Sequence, residues 1–174
     1  MPSSRDNELE PFIGPRPFGS TLPDRERFKG RYFEAERIIS YLHSQKVTLL
    51  YAPSGTGKTS LINAAVLPEL ESAGFDILPV TRVQVSNSSS QYLDNVENIY
   101  VLNVLARMLP DELEMQDILD QTLSSFLKQY PRRASSNEYP TPRLLIIDQF
   151  EELFTVPTPG WIEKRDDFFM QLGE

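Results

Sequence analysis

Cysteine is missing from all 174 residues, and histidine occurs once, as His43. Without thiols there are no disulfides and no thiolate metal sites, which fits a reducing cytoplasm. A single imidazole makes a histidine-based catalytic or metal centre improbable. His43 falls late in a predicted helix, where a polar or positive residue is the ordinary expectation. Long apolar runs are absent too: nothing approaches the roughly 18 residues that read as a membrane span. The opening stretch Met1-Pro2-Ser3-Ser4-Arg5-Asp6-Asn7-Glu8 lacks the charged-then-apolar pattern of an export signal. Neither membrane insertion nor export is expected. Basic blocks are equally scarce, with 17 Lys and Arg against 25 Asp and Glu and a net charge of −8. Duplex affinity comes largely from phosphate neutralisation, so direct nucleic-acid binding is disfavoured. Arg132-Arg133 reads as a solvated turn. What remains is ordinary globular composition, 40% apolar and 24% charged, long enough for one domain with a sizeable core.

The chain divides by pattern into an irregular lead-in, 1–27, and a domain over 28–174. Three prolines and a glycine in Pro11–Phe18 forbid a helix there, while Phe12, Ile13 and Phe18 are apolar enough to pin the segment to the domain. Periodicity predicts a helix over 32–44, with Phe33, Ile38, Tyr41 and Leu42 at helical spacing. Val47–Tyr51 reads as the first strand. A helix over 59–72 follows, ended by Gly74 and kinked or stopped by Pro68 near Leu67. Phe75–Val85 reads as a strand interrupted at Pro79, a residue expected at a bulge or sheet edge. Ser86–Ser90 is a polar loop. Helices are predicted over 95–108, 113–130 and 161–172, with a loop over 131–142. Leu144-Leu145-Ile146-Ile147 is a short, wholly apolar strand suited to the middle of a parallel sheet. Strands alternating with helices, without hairpin signals, argue for an α/β fold with a doubly wound parallel sheet flanked by helices.

One segment carries the most chemistry. The apolar, β-branched run Val47–Tyr51 enters Ala52-Pro53-Ser54-Gly55-Thr56-Gly57-Lys58-Thr59-Ser60-Leu61, a Gly-rich turn that opens an apolar-periodic helix. That strand, loop and helix context is what a phosphate-binding P-loop, or Walker A motif, requires. The loop Pro53–Ser60, through the backbone N–H groups that follow Pro53 and the positive helix end, would cradle nucleotide phosphates. Lys58 would reach the β/γ-phosphates and the Thr59 hydroxyl would ligate Mg²⁺. The strict pattern begins with Gly where this chain has Ala52; alanine is small enough if φ is negative there. The competing reading is a left-handed turn that merely precedes a lysine.

A second element is Asp148-Gln149-Phe150-Glu151-Glu152-Leu153-Phe154, closing the apolar strand. A carboxylate at the C-terminal edge of a core strand sits where α/β sheets bind ligands, and in P-loop enzymes such an Asp holds Mg²⁺. Hydrolysis also needs a group that orients or deprotonates water. Glu151 is the favoured candidate and Glu152 the fallback. Without a catalytic task, the pair reads as an acidic first helical turn favoured by the macrodipole. In Phe28-Lys29-Gly30-Arg31-Tyr32, Gly30 allows a tight turn and Arg31 could reach the nucleotide or its sugar; a helix-entry turn is the plain alternative.

Together these residues resemble the STAND class of P-loop ATPases, in particular the bacterial novel-STAND type often joined to WD40 or effector modules. The likeness rests on Pro11–Phe18 with Phe28-Lys29-Gly30-Arg31, on Ala52–Leu61 continuing into Asn63-Ala64-Ala65-Val66-Leu67-Pro68-Glu69-Leu70, and on Leu144–Phe154 with its Walker B carboxylate. It is weakest over 86–140. The resemblance implies a cytoplasmic, ATP/ADP- and Mg²⁺-dependent signal-transduction switch, with self-association or an effector module in a longer protein. It also implies that Gly30-Arg31 lies at the nucleotide. In such ATPases a sensor-bearing strand follows the Walker B strand and inserts between it and the P-loop strand. The chain ends before one, so an incomplete fold with unpaired strand edges is expected, and ATPase activity is expected of a full-length context. A non-hydrolysing nucleotide-binding scaffold is the main alternative. A small-molecule kinase is disfavoured, because no lid-like Arg-rich segment is visible.

Overall fold

The computed structural model describes residues 16–84, 92, 95–133, 141–155 and 160–174. Phe12 and Ile13, most of the polar loop after Gln84, and the centre of the 131–142 loop lie outside the described residues. The chain forms two compact units, Met1–Phe75 and Asp76–Glu174. Among the described residues no helix is long and apolar enough to cross a membrane.

In the first unit the lead-in is less irregular than its composition suggests. Leu22–Arg27 forms a helix, α1, with Pro23 in its first turn, where a missing N–H costs nothing. The turn ahead of it is organised by buried Asp24. Its carboxylate accepts two hydrogen bonds from the Arg16 guanidinium, both 3.1 Å, and one from the Gly19 N–H at 2.9 Å. Phe18 does pin the segment: its ring meets Phe28 edge-on, centroids 5.6 Å apart.

α2, Tyr32–Ser44, follows the predicted span but turns a different face inward. Ala35 and Ile38 are buried, whereas Phe33 is 82% exposed. His43 packs edge-on against Phe75, a structural role.

Val47–Tyr51 is not a strand, contrary to its composition. A strand exists only by pairing, and this segment has no ladder partner among the described residues. Its apolar side chains are bare, with Val47, Leu49 and Tyr51 each more than 70% exposed.

The helical rod beyond it has three parts: α3 (Lys58–Leu61), a π turn (Ile62–Val66) and α4 (Leu67–Ser72). Pro68 therefore neither kinks nor stops the helix in the expected way. Widening the preceding turn brings the Leu67 N–H to the Ile62 carbonyl, so the ladder skips a residue before the one that cannot donate. Leu61, Ala64, Val66 and Leu70 are buried on this rod. Gly74, at φ 88°, ends it, with the Phe75 N–H returning to the Leu70 carbonyl.

The second unit is built on two interrupted parallel ladders. β1 (Asp76–Ile77) pairs with β3 (Arg143–Leu144), and β2 (Thr81–Arg82) with β4 (Ile147–Asp148). Between the ladders the register slips by one residue, and the extra residue falls on the strand that carries Pro79. The amide rungs agree: Asp76, Leu78 and then Thr81 donate to the carbonyls of Pro142, Leu144 and Ile146. Pro79 thus sits at a bulge, where it removes no rung.

α5, Ile99–Ala106, is apolar apart from Asn103, which donates to the Val83 carbonyl at 2.9 Å, and is the centre of this unit's core; Ile99 through Leu105 are all buried. Asn98 caps it by accepting from the Tyr100 and Val101 N–H groups. The single helix expected over 113–130 is instead a 3₁₀ turn, Met115–Ile118, and α6, Leu123–Gln129. The break comes from Thr122, whose hydroxyl accepts from the Ser125 N–H and restarts the helix as a new N-cap. A 3₁₀ turn, Phe150–Phe154, follows β4, and α7, Trp161–Gly173, closes the unit by burying Phe168.

Candidate functional site

The phosphate-type loop lies entirely within the first unit. Gly55 and Gly57 adopt φ 79° and 78°, the left-handed region that a side chain at Cβ would strain. Two such turns in succession swing the chain into α3 with its first-turn N–H groups, those of Lys58, Thr59 and Ser60, preceding the first helical donor. That first donor is Leu61, whose N–H reaches the Gly57 carbonyl at 2.9 Å. The loop is braced from inside: the Thr56 hydroxyl donates to the Pro53 carbonyl at 2.9 Å. Lys58 folds across the loop, its Nζ donating to the Ala52 carbonyl at 2.8 Å and the Pro53 carbonyl at 3.3 Å.

Arg31 comes to the same place. Gly30 turns at φ 84° ahead of α2, and the Arg31 guanidinium donates to the Thr56 carbonyl at 2.7 Å while bridging to Glu34 at 3.2 Å. Residues 25 positions apart in sequence are thereby tied into one turn. Thr59 is exposed, and its hydroxyl makes no hydrogen bond among the described residues. The Ser60 hydroxyl accepts from the Phe18 N–H at 3.1 Å, so the lead-in is fastened to the helix start. Pro53, Ser54, Gly55 and Thr56 are all exposed at the loop surface. First-turn N–H groups and a Thr59 hydroxyl without partners among the described residues, together with the Lys58 ammonium, are a donor set on one turn that suits a polyphosphate.

The acidic strand end lies in the second unit. Asp148 closes β4 and stands opposite Arg82 of β2 in the ladder. Its Oδ2 accepts from Arg82 Nη2 at 3.2 Å, and its Oδ1 from the Gln149 N–H at 3.0 Å. Gln149 is the one non-glycine residue with positive φ, 55°, among the described residues. That left-handed step turns the chain sharply into the 3₁₀ turn carrying Glu151 and Glu152. Glu151 is exposed. Glu152 is half-buried, and its Oε2 is enclosed without a hydrogen-bond partner among the described residues.

Arg82 was missed from the sequence. Its place inside the predicted strand Phe75–Val85 was the available signal, but only the register identifies its partner. Among the described residues no group of three or more acidic or imidazole side chains could cage a metal on its own. Mg²⁺ does not require one, because it usually keeps several waters and takes one or two protein ligands beside phosphate oxygens. Thr59 and Asp148, one in each unit, each offer a single oxygen-bearing group of that kind.

Helices combined with short parallel ladders define an α/β protein. The chain belongs to the family described as Novel STAND NTPase 1, which matches residues 11–174. No curated protein and no solved structure shows significant similarity to it.

Proposed function

We propose that this chain is the ATP-binding, slowly hydrolysing switch module of a STAND-type signal-transduction protein. In this reading residues 28–174 carry its P-loop NTPase elements. The observation that carries the proposal is the Gly55–Ser60 turn, with its two left-handed glycines, uncommitted first-turn amides and overlying Lys58. In this reading Lys58 exchanges the Ala52 and Pro53 carbonyls for phosphate oxygens. In the first unit Thr59 would offer its hydroxyl to Mg²⁺, whose charge would offset that of phosphate, and Arg31 holds the loop from the side; in the second unit Asp148 is the candidate metal carboxylate. Glu151, exposed and on a short turn, is free to approach a water molecule; Glu152 is the second candidate.

Lys58→Ala removes the charge together with the Nζ hydrogen bonds to the Ala52 and Pro53 carbonyls. It should weaken ATP or ADP binding at least tenfold, about 1.4 kcal/mol. Calorimetry on the full chain, with and without MgCl₂, measures this directly. Equal binding by the wild type and this variant would overturn the reading.

A further inference from the structure

We propose that Arg82 is a built-in counter-ion of Asp148 that competes with the divalent cation for its carboxylate; this rests on the reading of Asp148 as a metal ligand. The geometry is specific. The ladder places Arg82 directly opposite Asp148 at the C-terminal end of the paired strands, and Nη2 meets Oδ2 at 3.2 Å. The other oxygen, Oδ1, is engaged by the Gln149 N–H at 3.0 Å. Both carboxylate oxygens are therefore committed within the chain.

A Mg²⁺ ion needs an oxygen at about 2.0–2.1 Å, and its two charges would repel a guanidinium at the same oxygen. Metal and Arg82 therefore oppose each other at Oδ2, each weakening the other's hold on it. The pair is also breakable. The side chains are 37% and 28% exposed, the contact is single-pointed rather than bidentate, and part-exposed pairs of this kind are weak. Arg82 thus raises the metal concentration at which Asp148 is loaded, and metal loading releases the arginine.

The test follows binding of a fluorescent ATP analogue to the full chain as Mg²⁺ is titrated. Arg82→Gln should lower the half-saturating Mg²⁺ concentration by about two- to fivefold, the range that a weak ion pair supports. Asp148→Asn should raise it. If Asp148→Asn raises it and Arg82→Gln leaves it unchanged or raises it, the competition is wrong while Asp148 remains the metal carboxylate. If Asp148→Asn has no effect, both ideas fall. A readout on the wild type does not depend on how Arg82→Gln folds. The arginine Nε–H signal absent from the spectrum of Arg82→Lys should move when MgCl₂ is added in the presence of ADP. A signal that stays in place would overturn the proposal.

Discussion

Asp24 holds the lead-in to the first unit with an unusual concentration of donors for one side chain. The Arg16 guanidinium, foremost, and then the Gly19 N–H hold its carboxyl below the usual carboxylate range, against the opposing effect of desolvation. A lowered folded value means that the carboxylate stabilises the fold above the unfolded pKa, and that this contribution is lost as pH falls through the folded one. Asp24→Asn should therefore lower the melting midpoint at neutral pH by a margin that stays constant on mild acidification. The margin should shrink below about pH 4, where unfolded aspartate gains its proton. Paired melts of wild type and variant from pH 7 to pH 2.5 check this, and a margin independent of pH throughout would count against the clamp.

At the scale of the element, Arg143 shows how one residue joins a strand to a helix end. From β3 its guanidinium donates to Asp76 on β1 at 2.9 Å and to the Leu127 and Tyr130 carbonyls at 2.8 Å and 3.0 Å, at the end of α6. It also lies over the Tyr130 ring. Arg143→Met would keep the stem but strand a largely buried carboxylate and the last helical carbonyls. A loss of about 2–4 kcal/mol is expected in urea unfolding; a loss under 1 kcal/mol would show that water replaces the guanidinium. These long-range ties were not legible in the sequence, whereas local chemistry was. Gly57-Lys58-Thr59 announced its turn because left-handed φ is a property of the glycine itself. Pro79 announced its bulge because it has no N–H to give a ladder. The π turn before Pro68 and the fresh start at Thr122 lay hidden beneath an unbroken apolar periodicity. That periodicity reports which face is buried and says little about which carbonyl each amide finds. Arg82 and Asp148, 66 residues apart, were connected only by register.

For the whole molecule, the bare segment Val47–Tyr51 matters more than the net charge of −8. Val47, Leu49 and Tyr51 alternate along it and are 73%, 77% and 89% exposed, leaving a row of bare apolar side chains on a segment with no ladder partner among the described residues. Such a segment invites pairing between chains. Leu49→Lys should reduce concentration-dependent association in sedimentation while shifting unfolding stability by no more than about 0.5 kcal/mol, because an exposed side chain gives up little packing. Identical association of both proteins would place the sticky surface elsewhere.

The bulge at Pro79 implies that this strand contains one residue more than its architecture uses. Leu78, Thr81 and Val83 are buried while Pro79 and Val80 are exposed, so the in-out rhythm misses a beat only between Leu78 and Thr81. Deleting Pro79 would restore strict alternation and turn two ladders into one, with Thr81 still opposite Ile147 and Arg82 still opposite Asp148. On this register the position is a spacer, and its removal is expected to be tolerated better than its doubling. A shortened chain should keep its melting midpoint, whereas an added residue at the same point should lower it.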